Sequence, residues 1–244
     1  MASRRISTRA VTHQRDPHKP LGLLYGTGMN EADPPKNGFL RQRRTGMIAI
    51  AAAMPVALSL WLAIAYLLPP LTGMDSMGSR MLFTLKCCCL SVLFCLVTGV
   101  EAVAHERLFS PGFDPLSGFE TRRLQVNQRY LQNTLEQIFV FTTGLFGLAT
   151  YSPDGSAMRA VLATTVVWIL ARFAFWIGYH QSAAMRGLGA PGMALSMIVL
   201  VYVAGRIGFE IGSFVGAAVP VVAFLVIEAF LFRGTQPSRS VDHA

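Results

Sequence analysis

Between residues 129 and 137 the chain reads Arg-Tyr-Leu-Gln-Asn-Thr-Leu-Glu-Gln, and the apolar run that follows through Ile138-Phe139-Val140-Phe141 continues to Tyr151. On a helix Arg129, Asn133 and Glu136 fall at i, i+4 and i+7 and share one face. A run of this length can enter a bilayer, where an unpaired charge at a helix centre costs roughly 2.5–3.5 kcal/mol on insertion scales. Such a stripe needs polar partners, either a ligand site or polar glue between helices. A second set follows. Arg172 and Tyr179 are again i and i+7, and Arg186 comes seven residues after Tyr179. Arginines grip carboxylates in bidentate fashion, and a glutamate suits a ligand ammonium or orients an arginine. Together these six residues describe a site for an anionic ligand, with the glutamate either meeting a ligand ammonium or orienting an arginine.

The elements that would carry them are membrane helices. The chain has 244 residues, of which 52% are hydrophobic and only 14% charged, and its mean hydropathy is +0.45. Soluble domains carry about 25% charged residues. Six apolar segments follow a polar, basic stretch at 1–45, which reads as a disordered arm held near anionic lipid. They are Met47–Leu68 (with Pro55 a kink point), Met81–Val103, Arg129–Tyr151, Met158–Tyr179, Pro191–Gly208 and Ser213–Phe232. Each approaches the ~20 residues that cross ~30 Å of hydrocarbon. The expected fold is therefore an all-α integral membrane protein with six crossings. For the last two segments, separated only by Phe209–Gly212, a single bent or re-entrant hairpin stays open. Gly208, Gly212 and Gly216 point to close backbone approach there.

Loop charge sets the expected topology. Basic residues gather in the N-terminal arm, in the connection with Arg107, Arg122 and Arg123, in the loop with Arg186, and in the tail with Arg233 and Arg239. The intervening connections carry fewer. Both termini then lie on the cytoplasmic side, as do all six singled-out residues. The net charge of +8 is read as this positive-inside signal, with no nucleic-acid partner. Cys87, Cys88, Cys89 and Cys95 share one apolar segment without a pairing or metal-ligand spacing, so they read as small apolar residues, with palmitoylation or redox sensing as alternatives. No metal site is expected.

Arg129, Asn133 and Glu136 in this spacing resemble the second helix of the MAPEG superfamily, the membrane-associated proteins in eicosanoid and glutathione metabolism. The segment from Arg172 to Tyr179, Arg-Phe-Ala-Phe-Trp-Ile-Gly-Tyr, is similar to that family's Arg-x6-Tyr signature. Arg186 stands where leukotriene C4 synthase-like members keep the arginine that activates the glutathione thiol. The resemblance covers roughly residues 81–208. It implies a four-helix MAPEG-like bundle in a homotrimer, with glutathione as co-substrate between subunits. One extra transmembrane helix would flank it at each end (46–69 and 213–233), with a short tail at 234–244. By position, Arg129, Asn133, Glu136, Arg172 and Tyr179 would bind the tripeptide, and Arg186 would be the catalytic residue. A free thiol has a pKa of about 8.5, and a nearby cation lowers it. Two departures stand out. The family's first helix often ends with an arginine that touches glutathione, a role that Arg107 fills or that stays empty. Phe175 stands where some members place Tyr or His, which removes a polar contact.

The implied activity is a glutathione transferase or peroxidase acting on a hydrophobic electrophile from the bilayer. The alternatives are a non-catalytic lipid-binding or scaffold member, and a transporter or channel. The last would favour inverted repeats and broken helices at mid-membrane, whereas the charges here cluster at one interface.

Overall fold

In the computed structural model the described residues are 36–235, and every regular element among them is helical. They are α1 (Lys36–Leu67), α2 (Met77–Ser91), a π-helical stretch Val92–Val97 running directly into α3 (Thr98–Leu108), α4 (Arg122–Thr150), α5 (Arg159–Gln181) and α6 (Ala190–Gly234). Short 3₁₀ turns occupy Pro111–Phe113 and Met185–Gly189. The expected arm at 1–45 meets the structure only in part. Residues 36–45 already belong to α1, and the rest of the arm lies outside the described residues, as does the tail beyond 235. The early start has a simple cause. Leu40, Arg41, Gln42, Arg43 and Arg44 are good helix formers, and extending an existing helix costs far less than nucleating one. α1 also continues through Pro55.

Four helical stretches are long and apolar enough to cross a bilayer: Gly38–Leu67, Met77–Leu108, Arg159–Gln181 and Met185–Gly234. Six crossings are thus not shown. α4 falls outside the four because its polar stripe lowers its hydropathy. The expected fifth and sixth segments form one element, α6, interrupted at Gly212 and Ser213. Ser213 has φ 54°, the only positive φ at a non-glycine among the described residues. The chain turns back on itself there. A Cβ on Gly208 would lie 2.2 Å from the Gly216 carbonyl oxygen, and one on Gly216 would lie 2.1 Å from that of Gly208. In a straight helix those residues would be about 12 Å apart. α6 is therefore a tight helical hairpin, closed on two glycines whose missing side chains let the backbones touch.

Side-chain caps and aromatic packing fix the rest. Ser76 and Ser79 form a reciprocal capping box at the start of α2, which satisfies amide donors that a helix start leaves open. Thr121 caps α4 by accepting from the Leu124 amide at 3.0 Å, and its hydroxyl donates to Glu106, which also pairs with Arg123 at 3.0 Å. In the core, Phe141 of α4 stacks on Trp168 of α5 with ring centroids 4.3 Å apart. The π-helical stretch, a form common at functional sites, has a partner on α4: the Tyr130 hydroxyl donates to the Cys95 carbonyl at 3.1 Å. Cys87, Cys88 and Cys95 are buried free thiols within this core, while Cys89 is exposed.

The connections gather at two opposite ends. At one, the Leu71 amide donates to Gly155 at 3.1 Å and Arg80 donates to Pro153 at 2.9 Å. At the other, Arg122 donates to the His180 carbonyl at 3.0 Å, and Gly46 of α1 lies against Ala184. The second end carries the residues singled out by their spacing.

Candidate functional site

α4 presents Arg129, Gln132, Asn133, Glu136 and Gln137 along one face, since these positions repeat at three and four residues. Arg129 donates to Gln132 at 3.2 Å, Gln132 donates to Glu136 at 3.3 Å, and Gln137 donates to Asn133 at 3.0 Å. Opposite stand Arg172, Phe175 and Tyr179 of α5, and the Met185–Gly189 turn brings Arg186 to the rim. These residues surround one open cavity of about 510 Å³, floored by Gly187, Gly189, Ala190 and Met193. The volume lies within the roughly 300–1,000 Å³ typical of small-ligand sites. All six residues expected from the sequence border it. A second polar cavity shares Arg129, Gln132 and Tyr179 with it and extends past Gln125 and Gln128 toward Glu120.

The six are not equivalent. Arg129, Glu136 and Arg186 are exposed, and Tyr179 is half-buried. Arg172 is fully buried, at 0% exposure. Its Nη1 donates to Asn133 Oδ1 at 2.9 Å and to Gln137 Oε1 at 3.1 Å, and its Nη2 donates to Thr134 Oγ1 at 2.8 Å. Its guanidinium carbon sits 4.6 Å from the centroid of the Phe175 ring and 5.3 Å from that of Tyr130. Among the described residues no carboxylate pairs with it. The buried cation is held by neutral acceptors and aromatic faces, which offset part of the cost of removing a charge from water.

The MAPEG family model matches residues 81–209, more than half of the chain. The chain belongs to the MAPEG family. No curated protein and no solved structure matches it. The MAPEG region runs from α2 to the first arm of the α6 hairpin and contains all six residues. α1 and the second arm lie outside it.

Within this MAPEG region the structure refines several expectations. Glu136 orients no arginine among the described residues; its hydrogen bond comes from Gln132. Phe175 supplies no polar contact, but it provides a face for Arg172. Arg107, at the end of α3, is not among the residues around the cavity. Gln132, Thr134 and Gln137 were not singled out by sequence, although all three stand in the same polar stretch. The signal was their spacing: Gln137 is i+4 from Asn133, and Gln132 is i+3 from Arg129. Asn127 was missed as well. One turn before the stripe, its Oδ1 accepts from Trp176 Nε1 at 2.9 Å and lies 2.9 Å from His180 Nε2, tying α4 to the end of α5 on the side away from the cavity.

Proposed function

We propose that the cavity binds glutathione and that the protein is a membrane-bound glutathione-dependent transferase or peroxidase for a hydrophobic electrophile from the bilayer. The observation that carries this reading is the single cavity bordered by Arg129, Asn133, Glu136, Arg172, Tyr179 and Arg186. Charge supports it. Three arginines and one glutamate line the space, a formal sum of +2. Glutathione offers two carboxylates and one ammonium, and its charge becomes doubly negative once the thiol ionises. The exposed Arg129 suits a carboxylate in a bidentate fork, Glu136 suits the ammonium, and Asn133, already oriented by Arg172, suits the peptide groups.

Arg186 is assigned to the sulfur. A cation beside a thiol lowers its pKa from about 8.5 and raises the thiolate fraction at neutral pH. The thiol proton leaves to water through the open side of the cavity. The sulfur electron pair then forms a bond to an electrophilic carbon, and either a leaving group departs with its electrons or the carbon framework takes up a proton. With a hydroperoxide the sulfur attacks oxygen, the O–O bond breaks and an alcohol leaves. A second glutathione completes the reduction as the disulfide forms and water is released. The protein supplies no nucleophile in either route.

The same reading includes a homotrimer with both termini cytoplasmic and the six helical arms as crossings. Arg129, Gln132 and Glu136 are exposed on a single chain. Against lipid each charge would cost roughly 2.5–3.5 kcal/mol on insertion scales, so neighbouring copies are assigned to cover this face of α4. Calorimetric titration of the detergent-purified protein with glutathione tests the reading, and no binding at millimolar ligand would end it. If glutathione binds, Arg186→Ala should lower the bound-thiolate absorbance in the ultraviolet; an unchanged signal removes Arg186 from the chemistry.

A second reading, a non-catalytic lipid-binding member, draws on two grooves beside α1. They hold about 400 and 230 Å³ and are lined almost wholly by apolar side chains such as Val56, Leu60, Leu170 and Ile198. It predicts lipid-dependent stability without turnover of electrophiles.

A further inference from the structure

α1 lies outside the family-matched residues, yet it reaches the polar cavity through one turn. Along its length Gly46, Ala49, Ala53, Ala57, Trp61 and Ala65 recur at three and four residues, the less exposed side of an otherwise exposed helix. This small-residue seam lets α1 lie close. Trp61 pins its middle, donating to Thr164 of α5 at 3.1 Å. At the site end the seam meets the Met185–Gly189 turn, which carries Arg186.

That turn has almost no free space. On the α5 side, a Cβ on Gly178 would lie 2.3 Å from the Met185 carbonyl oxygen, and one on Gly189 would lie 2.3 Å from Phe175 Cβ. On the α1 side, a Cβ on Gly187 would lie 2.9 Å from the Gly46 carbonyl oxygen, 3.0 Å from Ile50 Cγ1 and 3.6 Å from Ala49 Cβ. Real Cβ atoms do not approach backbone that closely, so α1 and α5 grip the turn from two sides. The turn's own hydrogen bonds are few and local: Met185 to Ser182 and Gly187 to Ala184, each at 3.2 Å. Residues 185–189 would otherwise be a short connection free to move, and Arg186 with them.

We infer that α1 is a positioning element for Arg186, and that Gly46, Ala49 and Ile50 hold the Met185–Gly189 turn against α5 so that the guanidinium is presented to the cavity. None of the three borders the cavity, so they act through the turn. The inference rests on the assignment of Arg186 to the glutathione sulfur. It adds that the arginine's reach is set by a helix the family match does not include. Displacing α1 by a fraction of a side chain should then change the thiol and spare the tripeptide, because Arg129, Asn133 and Glu136 stand on α4.

The test is Ala49→Leu in the full-length protein, which wedges bulk between α1 and Gly187. Two readouts are taken: the pH titration of bound-thiolate absorbance and the glutathione dissociation constant by calorimetry. Gly78→Ala, at the start of α2, is the control, since its Cβ would meet nothing nearer than 3.8 Å. In Ala49→Leu the thiolate fraction at neutral pH is expected to fall at least threefold, toward the level of Arg186→Ala, with the dissociation constant within threefold of wild type and Gly78→Ala unchanged. A wild-type titration in Ala49→Leu, with the signal lost in Arg186→Ala, overturns the positioning role and leaves the glutathione reading intact. A wild-type titration in Arg186→Ala removes that arginine from the chemistry and overturns the positioning role with it, while the bound thiolate keeps the glutathione reading. A joint loss of thiolate and of tripeptide binding by tenfold or more would mean that α1 merely supports the fold, and would overturn the inference too. If Ala49→Leu does not fold, Gly187→Ala takes its place, alone and combined with Ile50→Ala. Trimming Ile50 should recover part of the lost thiolate, and no recovery overturns the role.

Discussion

Replacing Arg172 by lysine keeps the charge and removes the fork. In the structure Nη1 serves Asn133 and Gln137 while Nη2 serves Thr134, so one planar group satisfies three acceptors. A single ammonium cannot occupy both nitrogen positions. If it stays between Asn133 and Gln137, the bond to Thr134 is lost, and a hydrogen bond to a charged group contributes about 1.5–3 kcal/mol. Thr134 itself is not orphaned, because its hydroxyl still donates to the Tyr130 carbonyl at 2.7 Å. The cation–π contacts of the guanidinium with the Phe175 and Tyr130 rings are disturbed as well, worth about 0.5–2 kcal/mol. Lysine is more strongly hydrated than arginine, so its burial costs more. These contributions all point the same way and give a loss of about 2–5 kcal/mol. At roughly 2–4 °C per kcal/mol for a chain of this size, the unfolding midpoint in detergent should fall by about 4–20 °C. Glutathione affinity should weaken as well, since Asn133 would no longer be held. A midpoint within about 2 °C of wild type would refute the claim that the fork, and not the charge alone, organises this end of α4 and α5.

Other substitutions probe other links. Gly208→Leu should prevent closure of the α6 hairpin and cost about 3 kcal/mol or more, because its Cβ would lie 2.2 Å from Gly216 backbone; Gly212→Ala, with nothing within 4 Å, should stay within about 0.5 kcal/mol of wild type, both read by thermal unfolding. Glu136→Gln removes the one carboxylate that borders the cavity among the described residues. Glutathione affinity by calorimetry should drop roughly tenfold with little change in the unfolding midpoint, since the residue is exposed and holds no buried partner. Trp61→Phe deletes the donor to the buried Thr164 hydroxyl. A loss of about 1–2 kcal/mol is expected in unfolding, and no loss would mean that α1 is held by its alanine seam alone.

How much of this was legible depended on whether a residue's direction or its depth was at stake. Apolar runs mark helices because a bilayer admits few other structures, and the six runs reappear as six helical arms. Their limits were less readable. The polar residues 36–45 continue α1 because propagation needs no apolar face. The join at Phe209–Gly212 became one tight hairpin, a form the three glycines already suggested. Spacing also put six polar side chains on facing surfaces, and all six border one cavity. Spacing could not say how deep each would lie. Arg172 and Arg129 look alike in a heptad pattern, yet one is sealed in and the other open. That difference arises from Thr134 and Phe175, residues that carry no charge and give no signal of their own. The clamp of α1 on the Met185–Gly189 turn was equally hidden, because it is made of a missing side chain at Gly187 facing the backbone of Gly46.

The depth of Arg172 bears on the charge that the cavity presents. A buried cation tends to draw the nearest carboxylate, and Glu136 stands one turn from Asn133 on the same helix. Had Glu136 paired with Arg172, the cavity would have lost its acceptor for an ammonium, and the pair's mutual attraction would have had to offset the desolvation of two charges. The chain instead gives the two Nη atoms of Arg172 the oxygens of Asn133, Thr134 and Gln137, sets two aromatic faces beside it, and leaves its buried Nε without a partner among the described residues. Neutral acceptors leave its charge uncancelled, so it contributes positive potential to the cavity without being spent on an internal pair. Glu136 and Arg129 remain exposed, bonded among the described residues only to the amide of Gln132 between them. Amides serve as spacers here: Gln132 keeps the two opposite charges of α4 from closing on each other, and Gln137 keeps Asn133 turned toward Arg172. The outcome is a surface with three uncommitted charges, two positive and one negative, over a fixed positive floor. That pattern is complementary to a small peptide with two carboxylates and one ammonium, and it depends on uncharged residues as much as on charged ones.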